Sequence, residues 1–136
     1  MIAPATERRL LQIAVAIACL VPLSMGSQSV IRGVAVLKGA PLPPPPDLDS
    51  HFRYVSGIFL ALGIAFATTL PRIEAMGERF RLLGLMVVAG GLARALSWAM
   101  VGAPSAGHRF GLVMELGVVP LLMWWQARVA RTCGAR

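Results

Sequence analysis

The chain has 136 residues, 57% of them hydrophobic and only 14% charged, with a mean hydropathy of +0.71. A soluble domain of this size carries about 25% charged residues, so the composition excludes an ordinary soluble globular domain and points to lipid. The net charge of +7 does not indicate a nucleic-acid partner, because the basic residues flank apolar runs and no nucleic-acid motif accompanies them; they read as topology determinants.

A spanning helix needs about 20 mostly apolar residues, and four segments meet or approach that length. The first covers about 10–26. Glu7-Arg8-Arg9 before it and Ser24-Met25-Gly26-Ser27 after it give it the outline of a signal peptide, but no clean small-x-small cleavage site is present and the run is long for a signal. Retention as a span is the expectation, with Pro22 kinking or stopping the helix near its end.

Residues 28–50 form the one long connection. Val30 to Lys38 fits either an interfacial amphipathic segment or an irregular loop. Pro41-Leu42-Pro43-Pro44-Pro45-Pro46 predicts an extended polyproline spacer without helix. The second helix is expected over 51–70, closed by Pro71. A short turn leads to a third over 80–101. Gly102-Ala103-Pro104-Ser105-Ala106-Gly107-His108-Arg109 is a run of turn residues and chain breakers, and a fourth helix follows over 110–129, with a tail at 130–136. In lipid the backbone polar groups must be satisfied internally, so these segments are helices. The expected fold is a single all-α integral membrane domain over 1–136, an up-down-up-down four-helix bundle.

Orientation follows from the loop charges. Arg8, Arg9, Arg72, Arg79, Arg81, Arg128, Arg131 and Arg136 fall on one side, and Arg32, Lys38 and Arg109 on the other. The richer side is cytoplasmic, which puts both termini inside and the 28–50 loop outside. Trp124 and Trp125 then lie near the inner interface and Tyr54 and Trp98 near the outer one, where amphipathic rings are favoured.

Three ionisable residues lie inside the apolar runs: Arg53, Arg94 and Glu115. Each costs about 2.5–3.5 kcal/mol at a helix centre, so such residues face inward and pair. Arg94 lies roughly 10 Å from the outer end of its helix and Glu115 roughly 8 Å from the outer end of the next. Matching depth on adjacent antiparallel helices predicts an Arg94–Glu115 salt bridge, with Arg53 as a second cation in the same half. Small neighbours (Gly90, Gly91 and Ser97; Ser56 and Gly57; Gly111) put these residues on close-packing faces. His51, Tyr54, Ser56, Ser97 and His108 form the periphery of this candidate cluster. The cluster reads as a structural pair, as a site for a small anion or polar head group, or as part of a proton or ion pathway.

No nucleophile–base pair, Gly-rich phosphate loop or acidic dyad supports enzyme chemistry, and no cofactor or metal set is implied. Cys19 and Cys133 sit at different depths, so a disulfide is not expected.

His51 to Gly57, Gly90 to Ser97, Gly102-Ala103-Pro104 and Glu115-Leu116, in that order, resemble the small bacterial membrane proteins of the domain-of-unknown-function 4345 family. The likeness runs from about His51 to Ala130, the first helix agreeing only in hydrophobic character. It implies a four-helix membrane protein of about this length and transfers no activity, substrate or cofactor; the bacterial inner membrane is the expected location. The function expected is a non-enzymatic bundle or accessory subunit of a membrane complex, surrounded by lipid, with membrane-protein partners or further copies of itself. The alternatives are a small transporter or lipid- or anion-binding protein using Arg53, Arg94 and Glu115, and a quinone- or redox-linked subunit.

Overall fold

A computed structural model describes residues 3–134; Arg136, counted above among the basic residues, lies outside them. The protein is all-α, with no strand among the described residues. Four helices are long and apolar enough to cross a membrane. They are α1 (Pro4–Arg32), α2 (Pro46–Ala67), α3 (Gly77–Val101) and α4 (Ala106–Cys133).

Every helix is longer than its apolar run, because polar ends continue the helix beyond the part that needs lipid. The largest departure is α1, which extends from the expected 10–26 to Pro4–Arg32 and passes through Pro22 without ending. On the turn that follows, Ser24 Oγ donates to the Leu20 carbonyl at 2.5 Å and Ser27 Oγ to that of Leu23 at 2.6 Å, the local i−4 back-bonds that serine makes inside helices. Gly33, with φ of +60°, ends the helical stretch and starts a 3₁₀ turn over Gly33–Val36. A left-handed residue just past a helix end is usually glycine. The segment read as interfacial or irregular is therefore helix end plus 3₁₀ turn.

The proline run feeds directly into α2. Pro45 is extended (φ −55°, ψ 133°) and Pro46 is the first helical residue, where a missing N–H costs nothing. Asp47 and Asp49 in the first turn complement the helix dipole, so α2 starts five residues before the expected 51. At its other end, Thr68 and Thr69 hydroxyls donate to the Ala65 and Phe66 carbonyls, and a 3₁₀ turn, Leu70–Arg72, follows.

α4 has an internal change of pitch. It is α-helical over Ala106–Val113, π-helical over Met114–Val118 and α-helical again over Val119–Cys133. Val119 N–H donates to the Met114 carbonyl, an i→i−5 bond, immediately before Pro120, which has no N–H to continue the i→i−4 ladder.

The chain divides into two compact units. One holds the start of the chain through Gln12 and everything from Pro71 onward; the other is Ile13–Leu70. Within the first, α3 and α4 are antiparallel. Gly77 faces Gln126, Gly84 faces Met123, and Gly91 faces Glu115 and Leu116. Glycines on α3 set this approach: a Cβ at Gly91 would lie 2.8 Å from the Glu115 Cβ. Within the second, α1 and α2 are antiparallel, with Pro22 against Gly63 and Gly26 against Leu60.

Candidate functional site

Arg94 and Glu115 meet in the unit that contains α3 and α4. Arg94 Nε donates to Glu115 Oε2 and Nη2 to Oε1, both at 2.9 Å. This is the bidentate fork that makes an Arg–carboxylate pair strong and directional. The Glu115 side chain is 11% exposed and that of Arg94 31%. Glu115 is the second residue of the π segment, and π turns recur at functional positions. Glycine lets the pair close from both sides: Gly91 lies under Glu115 and Gly111 beside the Arg94 guanidinium.

Arg53 belongs to the other unit and is engaged there. Its Nε donates to Asp49 Oδ2 at 2.6 Å, and its Nη1 donates to the Val30 carbonyl at 2.5 Å and that of Ile31 at 3.0 Å. Asp49 Oδ1 also accepts from Val34 N–H at 2.9 Å. Arg53 thus caps carbonyls in the last turn of α1, which have no partner within the helix, while Asp49 takes an N–H of the 3₁₀ turn. A Cβ at Gly33 would collide with the Asp49 carboxylate and the Arg53 guanidinium. Only Asp49, four residues before Arg53 in sequence, announces this arrangement.

The expected periphery is dispersed in character. His51 and Ser97 are exposed, and Tyr54 is 67% exposed. Ser56 is buried, its hydroxyl donating to the Phe52 carbonyl at 2.7 Å. His108 Nδ1 lies 2.9 Å from Ser105 Oγ at the start of α4. Among the described residues no group of three or more His, Cys, Asp or Glu side chains gathers as a metal site would.

A second polar set lies at the opposite end of α3 and α4. Glu7 Oε1 accepts from Trp125 Nε1 at 3.2 Å and pairs with Arg128 Nε at 2.9 Å. Arg8 Nη1 donates to Glu74 Oε1 at 3.0 Å, and the buried Gln126 donates through Nε2 to the Ile73 carbonyl at 2.8 Å. Sequence reading assigns Glu7 to a signal-like flank and leaves these contacts unseen. Trp125 and Arg128, one helical turn apart, mark the face of α4 involved.

These features define an all-helical membrane-type protein whose charges sit near helix ends or in closed pairs. The chain belongs to the family described as Domain of unknown function (DUF4345), whose model matches residues 10–126. The match takes in the first helix as well as the motifs from His51 onward. No curated protein and no solved structure matches the chain.

Proposed function

We propose that this protein is a non-enzymatic, multi-pass component of the bacterial inner membrane, an accessory subunit that binds other membrane helices, with both termini in the cytoplasm. The observation that carries this reading is an unoccupied small-residue face on α3. Gly90, Ala93 and Ser97 are all exposed and recur at helical spacing, and a Cβ built at Gly90 meets nothing within 4 Å. Membrane helices associate through such faces because small side chains let backbones approach closely. The closed Arg94–Glu115 fork gives less support to anion transport, since two of the guanidinium donors are already engaged. A quinone or redox role has no dedicated side chains behind it.

The test is affinity capture of the full chain in mild detergent, with mass spectrometry of what is retained. A reproducible membrane partner or a second copy is expected, lost on Gly90→Leu with Ala93→Leu. Recovery of a stable monomer that retains no protein overturns the reading.

A further inference from the structure

We infer a binding site for an anionic phospholipid in the groove between the start of α3 and the end of α4. The groove holds about 400 Å³, within the range of small-molecule sites. Gly77, Ala127 and Ala130 line it, together with Gln126, Met123 and Trp124. Small side chains make the depression, and Gly77 contributes none at all. Arg81 and Arg131 both line it. Both are exposed, and neither takes part in an ion pair among the described residues.

Two guanidinium groups on one groove repel each other unless an anion lies between them, and planar guanidinium forks match phosphate oxygens. The surroundings reinforce the preference. Where α1 and α3 begin and α4 finishes, this unit carries seven arginines against Glu7, Glu74 and Glu78.

The order of chemistry along α4 selects a lipid over a soluble anion. Met123 and Trp124 come first, then Ala127, then Ala130 and Arg131, so one face passes from apolar to aromatic to cationic over about 12 Å. An acyl chain, glycerol backbone and phosphate follow the same order from the hydrocarbon outward. Trp124 is 58% exposed, open to an acyl chain, and an indole ring is favoured at the glycerol level.

The experiment compares lipids on the full chain in nanodiscs of equal phosphatidylglycerol and phosphatidylcholine, with native mass spectrometry of the released protein. Two cations near the phosphate, at about fivefold each, predict retention of phosphatidylglycerol about thirtyfold over phosphatidylcholine. Arg81→Gln with Arg131→Gln should bring the ratio close to parity, and Arg109→Gln, in the first turn of α4 and far from the groove, should leave it unchanged. On the unmodified chain, phosphatidylglycerol with brominated acyl chains should quench the fluorescence that Trp124→Phe removes, and brominated phosphatidylcholine at the same fraction should quench it less. This second measurement needs no variant of either arginine. Equal retention of the two lipids, a preference that survives the double substitution, quenching independent of Trp124, or displacement by excess inorganic phosphate each overturns the assignment. The site is separate from the Gly90 face, so loss of partner capture leaves these readouts unchanged.

Discussion

The Arg94–Glu115 fork is asymmetric in its environment, and that asymmetry sets what each partner's removal should do. Glu115 is the more buried, so Arg94→Ala strands a carboxylate with little water and should cost about 3 kcal/mol. Glu115→Ala leaves a guanidinium with more access to solvent or head groups and should cost about 1.5 kcal/mol. The double variant should lose less than the two together. Unfolding in detergent with graded denaturant measures all three, and additive losses would show that the pair is not coupled. Gln126 makes a different residue-scale case. Its amide satisfies the Ile73 carbonyl, so Gln126→Leu should destabilise by about 1–3 kcal/mol by leaving that acceptor without a partner. The same denaturant series reads it, and an unchanged midpoint would mean the carbonyl finds another donor. The fork was legible from sequence because both residues interrupt apolar runs at matched depth. Gln126 was not, since its partner is a backbone carbonyl 53 residues away that no side-chain pattern marks.

Helix ends carry the next set of consequences. Gly33 and Gly39 both have positive φ, +60° and +80°, but a Cβ at Gly39 meets nothing within 4 Å whereas one at Gly33 meets Asp49 and Arg53. Gly39→Ala should therefore show only the backbone cost, about 1–2 kcal/mol. Gly33→Ala should cost more, because it also pushes apart the groups that cap α1. Thermal denaturation of the two variants side by side separates the contributions, and equal losses would remove the cap from the account. The four spans were legible because apolar length is a direct requirement of lipid. Their ends were not, because the extra turns at Pro4, Pro46, Gly77 and Ala106 are polar or proline-led, and hydropathy does not count such turns as helix. The change of pitch at Met114–Val118 also escaped, although Pro120 supplies its chemical reason.

For the whole molecule, the two antiparallel pairs, α1 with α2 and α3 with α4, agree with an even number of crossings, and the arginine excess is what supports the direction proposed for them. Reporter fusions after Arg136 and within 73–76 should read cytoplasmic, and insertions at 37–45 and 102–105 should read on the other side. An external signal from the C-terminal fusion would reverse the assignment and move the lipid site to the outer leaflet. Arg53 shows why a sequence can locate a charge without giving its role. Its position near the start of the second apolar run was plain, but the carbonyls it caps appear only once α1 is known to reach Arg32.

Glu7 gives this architecture an order in time. Its partners, Trp125 and Arg128, lie more than a hundred residues later in the chain, so a ribosome adds more than a hundred residues after Glu7 before either exists. The first helix must therefore enter the membrane with its carboxylate still in water or among head groups. That contact closes only when α4 arrives, so it follows the placement of Glu7 rather than guiding it.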